Sequence, residues 1–132
     1  MDIDALLDGI SVVDSTGRPL YYTLDEDRNP VPATNYREWA DWELAHKDEP
    51  RLLDPEGMDD CRVGSTHIGE AWVSTVFTGR AAGQHGPPIL FETRIFGGEH
   101  NDSHERCATW AEAEVLHAHF CAVARGEIPD DD

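Results

Sequence analysis

The chain is almost without lysine. One Lys (Lys47) stands beside nine Arg, and these ten bases face 27 acids for a net charge of −17 over 132 residues. That balance argues against a protein that binds DNA or RNA directly, because such a surface must neutralise phosphates with cations. Three origins of the acidity remain: a solvating surface, adaptation to high salt, or mimicry of nucleic-acid phosphates. Cysteine is scarce as well. Cys61, Cys107 and Cys121 form an odd set at no disulfide-framework spacing, which fits a reducing, cytoplasmic compartment. No apolar run approaches the roughly 18 residues of a membrane span, and the first residues lack the basic and apolar regions of a signal peptide. Phosphate-cradling glycine motifs are missing too, since neither GxGxxG nor a P-loop pattern occurs. The expectation is a cytoplasmic protein with no membrane and no direct nucleic-acid partner.

What the chain does have is a dense β-rich centre, Ala71 to Gly98. Trp72 to Thr78 is rich in Val, Thr and aromatics, which suit a half-buried pleated surface. Alternation puts Val73, Thr75 and Phe77 on one side and Trp72, Ser74, Val76 and Thr78 on the other. Ile89 to Phe96 alternates in the same way. Ile89, Phe91, Thr93 and Ile95 share one face, and Leu90, Glu92, Arg94 and Phe96 share a mixed, partly solvated one. The intervening GRAAGQHGPP is a long loop, with Pro87 and Pro88 favouring extended geometry before the second strand.

Elsewhere the signals are local. Residues 1–9 read as a helical turn or a disordered lead. Ile10 to Val13 and Leu20 to Thr23 flank the turn formers Asp14, Ser15 and Gly17, which predicts a hairpin. DEDRNPVP reads as a surface loop. Asn35 with Glu38 matches a capping box, and the helix it starts runs to about His46 with Tyr36, Trp39 and Ala40 on one stripe. Trp42 falls off that stripe, as a second core contact or an exposed anchor. Residues 47–60 read as a loop, Cys61 to Gly69 as a strand feeding the hairpin, and Gly97 to Cys107 as a polar loop. Thr109 with Glu112 caps a last helix whose Ala113, Leu116, Phe120 and Val123 recur at core spacing, and Gly126 suits its C-terminal end. The fold expected is α+β: one domain over 1–126, with an antiparallel sheet of four to five strands packed against the C-terminal helix and a second, shorter helix. Residues 127–132 read as an acidic disordered tail.

Candidate chemistry is thin. His104, Cys107, His117 and Cys121 are zinc-ligand types, paired three apart in a loop and four apart on a helix. The short Cys–Cys knuckle of the usual zinc patterns is missing, and His117 and Cys121 equally suit the packed side of a helix. A small hydrolase needs a pocket near Glu92, His85 or Cys61, and no nucleophile signature surrounds any Cys. Glu92 is the one acid in a partly buried setting, with an ion pair to Arg94 the simpler reading. On the mixed strand face, Trp72, Leu90 and Phe96 form an apolar patch suited to a partner or to a second copy of the chain. With Trp42, Glu92 and Arg94 they make up the candidate interaction residues.

WVSTVFTG, GPPILFETRIFGG and ERCATWAEAEVLHAH together resemble a family of small, mostly uncharacterised proteins of actinobacterial phages and prophages. That family runs a GNP-like turn, an EWA-like helix, a VSTVxLG strand, a PPLxFET strand and a RYxTxxEAxxGH helix. Here Asp27 to Val31, Glu38-Trp39-Ala40, Val73 to Gly79, Pro87 to Thr93 and Arg106 to His117 stand in those places. The chain departs from the pattern in Arg80 to His85, where the family reads LDH, in Val115 and Leu116 before the helix His, and in its first twenty residues, which are additional. The family has no established catalytic motif to carry over. The resemblance implies a shared fold, a phage context and a host-cell cytoplasm. The function expected is a non-enzymatic binding module that modulates or inhibits a host or phage protein, including a nucleic-acid-handling one through charge mimicry. The alternative is a zinc-binding protein built on the His/Cys cluster.

Overall fold

Val73, Thr75 and Phe77 lie fully buried on one face of a long strand, and Phe91, Thr93 and Ile95 lie buried beside them on the next. Their shared face is the floor on which the fold is assembled. The computed structural model describes residues 9–46, 61–82 and 86–129. The lead at 1–8, the segment at 47–60, the middle of the central loop at 83–85 and the acidic residues 130–132 lie outside the described residues.

The chain folds as β1 (Tyr22–Leu24), β2 (Pro30–Pro32), α1 (Tyr36–His46), β3 (Arg62–Ile68), β4 (Ala71–Ala82), β5 (Ile89–Phe96), β6 (His104–Cys107) and α2 (Trp110–Ala124). Strands β3-β4-β5-β6 form an antiparallel meander in that order, and β1 and β2 make a separate two-stranded ribbon. The central register sets Thr75 opposite Thr93, Phe77 opposite Phe91 and Trp72 opposite Phe96, so the two alternations combine into one inner and one outer face. Helix α2 covers the inner face through Ala113, Phe120 and Val123, with Leu116 packed alongside. The fold is therefore α+β, a four-stranded antiparallel sheet with the C-terminal helix packed on it.

The ends of α2 follow the sequence signals. Glu112 N–H donates to Thr109 Oγ1 at 3.1 Å, while Glu112 Oε1 accepts from Thr109 N–H at 3.1 Å, closing the capping box. Gly126, at φ +77°, terminates the helix with its N–H bonded to the Val123 carbonyl. Helix α1 is entered differently from the expected box. Glu38 N–H donates to Asn35 Oδ1 at 2.8 Å, but the Glu38 carboxylate accepts from the backbone and hydroxyl of Thr34, one residue earlier.

Four expectations are corrected. The polar loop before α2 contains strand β6, which supplies the sheet's fourth member. Asn101, with its side chain accepting from Gly97 N–H at 2.6 Å, and Asp102, at φ +73°, turn the chain so that His104 can pair with Arg94. The DEDRNPVP stretch is likewise not all loop: its PVP end pairs with β1, around an Asp25 side chain that accepts from Asp27 and Asn29 N–H groups. Leu20 to Thr23 thus does not simply close a hairpin on Ile10 to Val13. The turn at Asp14 forms, with Leu20 N–H bonded to Val12 O, but Tyr22 onward pairs with β2. The presumed tail is in part structured, since Ile128 packs against the core cluster of Val73, Ile95 and Phe120.

The ribbon reaches the main sheet through Ala81 N–H, which donates to Leu20 O at 2.9 Å. Gly79 makes this approach feasible. It has φ +73° inside a register shift of β4, and a Cβ there would sit 3.0 Å from Trp39 Nε1 and 3.2 Å from Tyr22 O. Trp39 is itself nearly buried, packed on Tyr21 and Tyr36 with the Arg80 guanidinium above it.

Candidate functional site

The outer face of the meander carries a row of aromatic side chains beside a charged cluster. His67, Trp72 and Phe96 lie in one row across β3, β4 and β5. Their rings stack, His67 on Trp72 at 6.2 Å and Trp72 on Phe96 at 4.9 Å between centroids. Trp72 Nε1–H donates to Ser65 Oγ at 2.9 Å, which fixes the indole's rotation. Beneath it the Arg62 guanidinium lies 5.4 Å over the ring and donates to Ser74 Oγ at 3.0 Å. The next rows hold Arg94 beside Ser74, and Glu92 between Val76 and Arg106.

Glu92 organises the charged half of this face. Its Oε1 accepts from Arg94 Nε at 3.0 Å and its Oε2 from Arg106 Nε at 3.1 Å, leaving neither oxygen uncommitted. Glu92 is 19% exposed, Arg94 33% and Arg106 50%, so the cluster is rigid at its centre and wet at its rim. In a chain of such negative charge, two Arg paired with one Glu is a local inversion of sign. A hollow of about 240 Å³ adjoins it, lined by Thr78, Arg80, Ile89, Glu92 and Arg106. A carboxylate bound by two guanidiniums is poorly suited to act as a general base there. Cys61 is fully buried in the core, and His85 lies outside the described residues.

Of the candidate interaction residues, Trp72, Glu92, Arg94 and Phe96 come together on this face. The other two do not. Leu90 has no exposed surface and belongs to the core cluster of Tyr22, Cys61, Phe77 and Phe91. Trp42 packs edge-on against Phe77 at 5.9 Å and stacks on His46, so it is the core contact and not an exposed anchor. His67, Ser65, Arg62 and Arg106 are members of the face that the sequence reading missed. Counting the alternation of β3 back from the turn at Gly69 places His67 opposite Trp72, which was the available signal.

The zinc-type residues are dispersed. His104 is exposed on β6 with Nδ1 2.9 Å from Asp102 O, and Cys107 donates weakly to Thr109 O at 3.8 Å. Burial in apolar surroundings and the nearby Glu112 push the Cys107 thiol up to about 11. Cys121 is buried among Val73, Ile95 and Phe120. His117 points into the sheet, with Nδ1 2.7 Å from Thr75 Oγ1 and Nε2 2.9 Å from Thr66 Oγ1. Both ring nitrogens are thus engaged by hydroxyls. Among the described residues no three His, Cys, Asp or Glu side chains gather as a metal site would require.

His117 instead forms a lock between helix and sheet. Thr75 and Thr93 share a 2.7 Å hydrogen bond at the centre of the inner face, both fully buried. A neutral imidazole donates at one nitrogen and accepts at the other, so the row Thr93–Thr75–His117–Thr66 can be satisfied throughout. Burial lowers the His117 pKa below its ordinary value and keeps it in that neutral form. The ring lies flat against Gly64, where an added Cβ would come within 2.8 Å of Cδ2, Cε1 and Nε2. With Thr75 wholly covered, this is a packing device that offers no hydroxyl to a substrate.

Among the described residues no helix is long and apolar enough to cross a membrane. Comparison with protein-family models, curated proteins and solved structures finds no match for the chain.

Proposed function

We propose that the chain is a non-enzymatic binding module, and that the outer sheet face is the surface with which it modulates or inhibits a partner protein. The observation that carries this reading is the convergence of Trp72, Phe96, Glu92 and Arg94 on one partly exposed face, stacked and ion-paired in fixed orientations. Aromatic and Arg side chains held in place before binding lose little conformational freedom on contact, and they are the residue types that dominate protein interfaces. A host or phage protein in the cytoplasm is the partner this reading takes, on the resemblance of the motifs to actinobacterial phage proteins and on three cysteines that remain free thiols. A second copy of the chain is the competing occupant.

Charge mimicry is a second reading, favoured by the net charge of −17 and by the exposed Asp25-Glu26-Asp27 at the β1–β2 turn. The two separate by salt. Affinity capture from actinobacterial lysate, washed at low and at about 1 M salt, leaves screened contacts only a range of about 3 Å at the higher concentration. A partner that survives the wash supports docking on the aromatic face. A nucleic-acid-handling partner that is lost supports mimicry, and sedimentation of the isolated chain as a monomer at high concentration counts against self-association.

A further inference from the structure

Among the described residues, strand β6 has one side of its backbone without a strand: it pairs with β5 and ends the order β3-β4-β5-β6. Ile95 N–H donates to Ser103 O at 2.9 Å, which fixes the phase of the ladder: Glu105 and Cys107 turn their backbone groups toward β5, and His104 and Arg106 turn theirs outward. The outward Arg106 N–H is met only by a long 3.4 Å contact from the neighbouring Glu105 carboxylate. His104, Glu105 and Arg106 are all exposed. Beside this edge runs a groove of about 610 Å³, floored by Cys107, Ala111, Val115 and Leu116 and rimmed by Glu105, Arg106, Glu112 and His119. Val115 is 72% exposed, while the larger apolar residues Leu116, Phe120 and Val123 of the same helix are packed.

An edge strand and an apolar groove alongside it are the two parts of a strand-addition site, in which main-chain bonds supply affinity and alternate side chains enter the groove. We infer that β6 and α2 together accept an extended, cationic segment of another protein as a fifth strand. Charge selects that chemistry: the Arg106 guanidinium on the rim is paired with Glu92, Glu105 and Glu112 stand on the groove, and the net charge of −17 attracts cations. Apolar residues at alternate positions of the segment would cover Val115 and Leu116, with Lys or Arg meeting the two carboxylates.

A second copy of this chain is disfavoured by symmetry. Two identical antiparallel edges related by a two-fold axis must set some residue opposite itself. The registers that pair three residues of β6 with β6 are centred on Glu105 or on Arg106, and each puts like charges directly opposite, which destabilises a sheet. The groove lies on the helix side of the sheet and meets the outer face only at Arg106, so substitutions at Val115 test it without touching Trp72 or Phe96.

The probe is a seven-residue capped peptide alternating Lys and Val, titrated against the intact chain by calorimetry with amide hydrogen exchange read in parallel. Binding should slow exchange at His104 and Arg106, and a peptide of equal charge with proline at its centre should not do so. Val115→Asp distinguishes a groove from simple attraction, because it adds negative charge while removing the apolar contact. The site predicts at least about tenfold weaker binding, the order expected for an uncovered Val. Equal or tighter binding to the Val115→Asp chain, or equal binding of the proline peptide, would overturn the proposal in favour of nonspecific attraction. Protection of the His104 and Arg106 amides in the chain alone, with a dimer in solution, would overturn it in favour of self-pairing.

Discussion

Gly64→Ala is the substitution that probes the helix–sheet lock most sharply. The Cβ it adds would lie 2.8 Å from three atoms of the His117 ring, where ordinary contact begins near 3.4 Å. The ring must retreat by about 0.6 Å, and it is held on both sides, 2.7 Å from Thr75 and 2.9 Å from Thr66. Because the ring lies flat on Gly64, that retreat runs across its plane and bends both hydrogen bonds out of line, which weakens them. Overpacking costs about 1–3 kcal/mol, and a weakened hydrogen bond adds about 1 kcal/mol. Replacing Gly by Ala returns about 0.5–1 kcal/mol through the unfolded chain. The net loss is about 2 kcal/mol, or a fall of about 1 M in the urea midpoint at an ordinary slope. The decisive comparison is a double-mutant cycle with His117→Ala, monitored by circular dichroism. Once the ring is gone, Gly64→Ala should stabilise by about 0.5–1 kcal/mol, giving a coupling of about 2.5–3 kcal/mol. Costs that add to within about 0.5 kcal/mol would refute the reasoning.

Three further outcomes follow from named contacts. Gly79→Ala should cost about 1–3 kcal/mol, because φ +73° is unfavourable for Ala and its Cβ meets Trp39 and Tyr22; unchanged thermal unfolding would contradict this. Leu90→Lys should unfold the chain rather than release a partner, since Leu90 is fully buried, and a native circular dichroism spectrum would argue otherwise. The His117 pKa is depressed in the folded state, so above about pH 6.5 both states are neutral there and this group contributes no slope. As pH falls below that value the unfolded chain takes a proton that the folded chain resists, and stability declines until the folded pKa is passed. His117→Gln should lessen the loss in urea midpoint between pH 6.5 and 5; an unaltered pH profile would remove His117 from the account.

The strand faces and the α2 caps were legible in the sequence because they rest on local rules. Alternation in Trp72 to Thr78 and Ile89 to Phe96 fixes which side chains are inward, and Thr109-x-x-Glu112 fixes where a helix begins. Strand β6 was not legible. His-Glu-Arg-Cys is polar and short, and it is a strand because β5 offers an edge to pair with, a tertiary effect that propensity does not carry. Leu90 misled for a related reason: alternation assigns it to the mixed face correctly but does not tell that the end of that face is covered. From sequence His117 suits a ligand or a packed residue equally, and the partners that decide between these, Thr66 and Thr75, come from two different strands. A signal was present in Thr75 and Thr93, two polar residues at inward positions of neighbouring strands, since buried hydroxyls require hydrogen-bond partners.

The central claim is that the Trp72–Phe96 face binds a partner. Its most direct test is capture from actinobacterial lysate in parallel with the unaltered chain, with Trp72→Ala and Phe96→Ala, and with Leu44→Ala as a control on an exposed position of α1. Each bait is first shown to retain the native circular dichroism spectrum. The expected result is a salt-resistant protein retained by the unaltered chain and the Leu44 variant and reduced at least tenfold on both face variants, the loss expected for aromatic anchors. Equal retention on all four baits would contradict it.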